Sequence, residues 1–313
     1  MTILTYMIMY CGIAIFLVAV VARFMMWSKM PMHLRWELYP VAHEGGKRAS
    51  YGGSYLEESD WWTKPREVSL VGEAKVMIPE ILFLEALKEH NNKLWRRSFP
   101  FHFGLYLVAA CTVLMMAVGI LTALLPGLMS GPVGLLFGWL IPITGYAGLG
   151  LGLVGAFGLI DRRRKKPLRD YTAPVDVLNL VFFVLVFGFA LVTALAVDRG
   201  FTSVTALVGN LVTFNVSWLA GGGPEVLLPL ISGILMALLV AYIPLTHMSH
   251  FVGKYFAYHS IRWADEPNLP GGKQEKVIHE MLNQPVSWSA PHIKGDGTKT
   301  KTWLDVATED EKK

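Results

Sequence analysis

Apolar and polar positions fall in long blocks along this chain. Five runs are almost wholly apolar: Ile3–Trp27, Phe99–Leu125, Val133–Ile160, Val175–Val197 and Val226–Val252. Each meets or exceeds the ~20 residues that a bilayer's hydrocarbon core requires. Backbone groups in lipid must find partners within their own segment, so each run predicts a helix. The expected fold is all-α, an integral membrane five-helix bundle. The first run has no basic segment before it and no small-residue cleavage site, and Arg23 lies near its end, so it reads as a retained helix.

The polar blocks divide the rest of the chain. Residues 1–27 form the first transmembrane helix, 28–98 a long loop, 99–252 a four-helix membrane core and 253–313 a C-terminal tail. From Pro79 to Arg97, Ile81, Leu82, Leu84 and Leu87 separate from Glu85 and Lys88, which predicts an amphipathic helix within the loop. Such a helix lies at a membrane surface or under a partner. Phe201–Trp218 is moderately apolar and ends in Gly221–Pro224, the pattern of a short interfacial helix or half-span. No internal repeat of the inverted-transporter kind is present.

Composition sharpens this picture. Of 313 residues, 53% are hydrophobic and 17% charged, where a soluble domain carries about 25% charged. The segment 28–98 holds eleven Lys and Arg, the loop Asp161–Asp170 six and the tail after Val252 nine. The two remaining loops together hold one, Arg199. The positive-inside rule therefore places the N-terminus outside and the C-terminus in the cytoplasm, in a multi-pass protein of the cytoplasmic (inner) membrane. The net charge of +4 follows from this topology and implies no nucleic-acid partner. Cys11 and Cys111, the two cysteines, form no C-x-x-C-H motif and cannot supply the about four thiolates of an iron–sulfur cluster.

Candidate chemistry enters with the histidines. His102 stands one turn inside the second run, in Phe99–Gly104, and His247 and His250 stand near the end of the fifth, in Pro244–His250. Metal-binding side chains in membrane spans default to functional sites. Two helices offering imidazoles at matched depth suggest a b-type haem held between His102 and His250, whose second ring nitrogens would need hydrogen-bonding partners. Arg96, Arg97, Arg35 and Lys254 are candidates to pair with its propionates. His247 is the rival ligand, one turn deeper and near the same helix face, and Pro244 loosens the helix there. Interfacial histidines that merely bond to headgroups or loops are the bland alternative. Gly145, Gly148, Gly150, Gly152, Gly155 and Gly158 give the third run small-residue spacing, which suits close helix packing or, less simply, a flat cofactor face. Met115, Met116 and Met236 read as apolar filler.

These residues resemble a known family. Phe99-x-Phe101-His102-Phe103-Gly104 opening the second run, and Pro244-Leu245-Thr246-x-x-x-His250 closing the fifth, are similar to the cytochrome b (γ) subunit of respiratory nitrate reductase. The likeness extends to the cytochrome b of membrane heterodisulfide reductase. Met32–His43 and the long first loop look nearest to the DsrM type, the membrane cytochromes of DsrMKJOP complexes, with the TmcC type second. The resemblance implies that His102 and His250 ligate one haem b near the cytoplasmic face. It puts the ligands of a second haem at Thr112 and Ser232, neither of which holds haem iron in the usual way. One haem is therefore expected, and a second would need His247, His33 or His43.

The implied function is electron relay between menaquinone or menaquinol and a cytoplasmic HdrD-like (DsrK-like) iron–sulfur subunit in sulfite reduction. Other membrane subunits and a periplasmic cytochrome c are the further partners implied. The chain would be an electron-transfer subunit of a quinone-linked oxidoreductase complex, with no catalytic side chain of its own. The alternative from another class is a haem-free membrane anchor that assembles a redox complex.

Overall fold

The computed structural model describes residues 2–30, 40–215, 223–289, 295 and 297–308. Its five long apolar helices are Thr2–Ser28, Asn92–Leu124, Pro132–Arg163, Pro174–Ala196 and Pro224–Tyr242, here called spans one to five. No strand occurs among the described residues, and each span is long and apolar enough to cross a membrane. Large apolar side chains such as Val113, Leu135, Val154, Leu185 and Val192 are more than half exposed. In water such a surface would be a liability. Around a set of membrane-length helices it is the lipid-facing surface of an all-α, multi-pass membrane bundle.

Two compact units divide the chain. The first holds Met1–Ala19 and Val76–Met248, the second Val20–Lys75 and Ser249–Lys313. In the first unit, spans two and three make the closest pairing. A Cβ added at Gly104 would run into the backbone of Gly152 and Gly148, and one at Gly155 into the backbone of Phe101. Small residues are what allow helix backbones to come this near in lipid. Five of the six glycines singled out on span three abut a neighbour in this way, Gly145 on Phe201, Gly148 on Val108, Gly152 on Phe187, Gly155 on Phe101 and Gly158 on Arg97, whereas Gly150 meets nothing within 4 Å.

The moderately apolar stretch between spans four and five becomes the helix Thr202–Val212, with Leu207, Val208, Gly209 and Leu211 buried. It is a half-span packed into the bundle, where Gly119 of span two meets Gly209. Asp198 holds its start: the carboxylate accepts from the Thr202 hydroxyl and from the Ser203 and Val204 amides, each at 3.0 Å. A buried carboxylate is tolerable when its oxygens are met by donors in this fashion.

Three sequence expectations need correction. Span two begins at Asn92, because Asn91 caps it by accepting the Leu94 amide at 3.1 Å. The single amphipathic helix expected over Pro79–Arg97 is instead Leu70–Phe83 and Glu85–His90 followed by the start of span two. Leu84, with φ 54°, breaks the first pair. Span five stops at Tyr242, well before Val252. Pro244 and an extended Thr246 follow; the Thr246 hydroxyl donates to the Ile243 carbonyl and accepts the Met248 amide, closing the turn. Two 3₁₀ turns, Ile243–Leu245 and His247–Ser249, separate span five from a new helix, His250–Phe256.

The second unit is built around Trp263, which is 1% exposed. Asp265 accepts from His43 at 2.9 Å and from Arg66 at 2.8 Å, while His259 meets Glu73 at 2.7 Å. Both histidine rings stand edge-on to Trp263. Ala257–Arg262 forms a π-helical turn that leads into this cluster.

Candidate functional site

His102 sits on span two between features that fix its ring. Its neighbour Phe101 is buried, packs edge-on against Phe183 at 5.1 Å and lies over Gly155. On another face of the helix, Trp95, Phe99 and Phe103 stack in sequence at 4.8 and 5.3 Å. The ring of His102 is half-buried, and its Nδ1 lies 2.8 Å from the Ser98 carbonyl oxygen. A carbonyl only accepts, so Nδ1 carries the proton and, in the neutral ring, Nε2 carries the lone pair. That tautomer is the one an axial ligand needs, with its second nitrogen held by a carbonyl. The Ser98 hydroxyl, 3.3 Å from the same nitrogen, adds a weaker contact.

Arg96 and Arg97 follow the same helix toward its basic end. Arg96 donates to the Asn92 side chain at 2.9 Å and Arg97 to the Lys93 carbonyl at 3.0 Å. Arg97 also approaches Asp161 of span three at 3.9 Å. Neither arginine is locked into a bidentate carboxylate pair by these contacts, so both keep donors for an anionic group.

His247 is engaged differently. The Tyr242 hydroxyl donates to Asn179 Oδ1 at 2.6 Å, which orients the Asn179 amide so that its Nδ2 meets His247 Nε2 at 3.3 Å. Asp176 stands 3.6 Å from the same nitrogen. His247 Nε2 is thus already occupied from span four.

His250 opens the helix His250–Phe256 in the second unit, and Lys254 follows one turn later on the same face. The helix break between His247 and His250 removes the shared α-helical face expected for them. His33 and Arg35 lie outside the described residues. His43 is bound through Nε2 to Asp265 and stands edge-on to Trp263.

Among the described residues, no group of three or more His, Cys, Asp and Glu side chains could hold a bare metal ion.

A second feature lies deeper in the first unit. A cavity of about 510 Å³ is lined by spans one to five and the half-span helix, with Val108, Met115, Leu149, Met236 and Val240 in its walls. Thr112 and Ser232 both line it. Six residues separate His102 from Val108, so the cavity begins about 9 Å along span two from the histidine. Its buried polar centre is a pair, Ser232 Oγ donating to Thr193 Oγ1 at 3.2 Å. Sequence reasoning reached Thr112 and Ser232 only through the family resemblance and missed Thr193, which reads as one more polar residue near the end of an apolar run.

The fold and these sites define an all-α, multi-pass membrane bundle. Comparison with protein-family models, with curated proteins and with solved structures finds no match.

Proposed function

We propose that this chain is a membrane cytochrome b subunit of the cytoplasmic membrane. It relays electrons between menaquinone in the bilayer and a cytoplasmic, HdrD-like (DsrK-like) iron–sulfur subunit. The observation that supports this most directly is His102. Its Nδ1 donates to the Ser98 carbonyl at 2.8 Å on a membrane-spanning helix, the second-nitrogen hydrogen bond that a haem-ligating imidazole makes. One haem b bound there supplies one-electron chemistry.

The chain's own part is to hold and orient. Phe101, wedged over Gly155, sets the rotation of span two and with it the direction of His102. Arg96 and Arg97 place positive charge at the basic end of the same helix, and Lys254 does so one turn after His250. His250 is the proposed second ligand on the family resemblance, and His247 is bonded instead to Asn179 of span four. Two positions that the resemblance pairs, Thr112 and Ser232, also line one cavity although they are far apart in sequence, which supports the family reading independently of any histidine.

Haem content of the purified full-length chain, measured as pyridine haemochrome, tests the proposal. About one haem b per chain is expected, with none retained by His102→Ala or by His250→Ala. A folded wild-type chain without haem would leave the membrane-anchor role instead. Retention of haem by His102→Ala would overturn the assignment of its ligand.

A further inference from the structure

We propose that the cavity of the first unit is a binding site for the ring of a neutral prenyl quinone, with the Thr193 hydroxyl donating to one ring carbonyl. The inference deepens the quinone-linked function proposed above and rests on it, since it assigns residues to a site that function requires.

Size and polarity carry the argument. About 510 Å³ is within the range of roughly 300–1,000 Å³ that small-molecule sites occupy. The walls are mainly aliphatic and thioether side chains, suited to a flat apolar body and flexible enough to mould to it. Within them stands one buried hydroxyl pair. Ser232 spends its proton on Thr193 Oγ1, and no acceptor for the Thr193 proton occurs among the described residues. Thr193 is 2% exposed, so its hydroxyl lies in the wall of the cavity and away from bulk water. A hydroxyl offers one donor besides its acceptor sites, and here that donor remains for a ligand oxygen.

The other polar walls are already committed. Thr112 donates to the Val108 carbonyl at 2.9 Å, and Tyr10 to the Leu211 carbonyl at 2.6 Å. The Asp198 carboxylate is met by three donors of the half-span helix. It adds negative charge to the wall, which disfavours an anionic ligand such as a fatty acid, and its occupied oxygens offer little to a cation. An acyl chain alone would fill the volume but leave the Thr193 proton unmet. A neutral, apolar, carbonyl-bearing ring satisfies every wall at once.

The test uses the full-length chain in quinone-free lipid nanodiscs and menaquinone-4 as the probe. Bound quinone is read by extraction and chromatography, and haem content is measured on the same samples. Saturable binding of about one equivalent is expected. Thr193→Val, which keeps the shape and removes the donor, should weaken it by about tenfold, the usual worth of one hydrogen bond to a ligand. Thr193→Ser should restore it, and Ala190→Leu, which pushes a larger side chain into the cavity, should abolish it. Unchanged haem content and circular dichroism in the variants show that they fold.

Wild-type binding in both Thr193→Val and Ala190→Leu would overturn the site while leaving a quinone-linked cytochrome standing. Phospholipid as the sole cavity occupant, or a second haem that survives His102→Ala, would overturn it as well. A chain without haem that still binds menaquinone-4 in a Thr193-dependent way would refute the haem proposal and support this one.

Discussion

His247 and His250 are three positions apart and carry the same ring, and His247 is held by a chain of hydrogen bonds of its own. The Tyr242–Asn179–His247 chain of hydrogen bonds runs from span five to span four and back to the segment after it, holding the turn that follows Tyr242. Removing His247 should therefore cost local order and not the cofactor. His247→Ala is expected to keep wild-type haem content, and to lower the midpoint of thermal unfolding by an amount corresponding to about 1–3 kcal/mol for leaving a buried amide unmet. Loss of haem in this variant, measured as pyridine haemochrome, would reverse the choice between the two histidines. The sequence shows both rings but not this difference, because the deciding residue, Asn179, is 68 positions from His247.

At the scale of elements, the glycines of spans two and three are the sharpest constraint. Gly104→Ala would press a methyl group into the backbone of Gly148 and Gly152, where no side chain can swing aside. It should destabilise the bundle by about 1–3 kcal/mol. Gly150→Ala, with open space around its Cβ, should change stability little. Paired unfolding titrations in mixed detergent, read by circular dichroism, check the contrast; equal effects would show that the small-residue seam is not what joins the two helices. The existence of all five spans was legible, since hydropathy over ~20 residues leaves few alternatives. Their ends were not. Asn91 and Thr246 set them through local side-chain bonds to the backbone, which hydropathy does not register. The half-span was legible as an apolar stretch, but its burial depends on Asp198 capping it and on Gly119 meeting Gly209.

For the whole molecule, one crossing by each of the five long apolar helices among the described residues would put the basic loop Asp161–Asp170 and the tail after Val252 on one side and the loop at Arg199 on the other. With the positive-inside rule, a fluorescent protein fused after residue 313 should fold and glow in the cytoplasm, while an alkaline phosphatase fusion there should be inactive. The opposite pattern would invert the proposed side for the iron–sulfur partner. Of the candidate site, His102 was legible as a lone imidazole at the start of an apolar run. The cavity was not, because six helices contribute to it and no one of them carries a distinctive motif.

The π-helical turn at Ala257–Arg262 has a consequence for chain length. Such a turn accommodates one residue more than an α-helix would, in the same stretch. Each residue of a helix advances the direction of every later side chain by about 100°. A single deletion between 257 and 262 can therefore be absorbed by closing the turn to an α-helical one, whereas an added residue would swing Trp263 and Asp265 away from His43 and Arg66, although every amino acid in that cluster would still be present. In this segment the surplus residue is already spent, so a lost residue is the mild change and an added one the severe one.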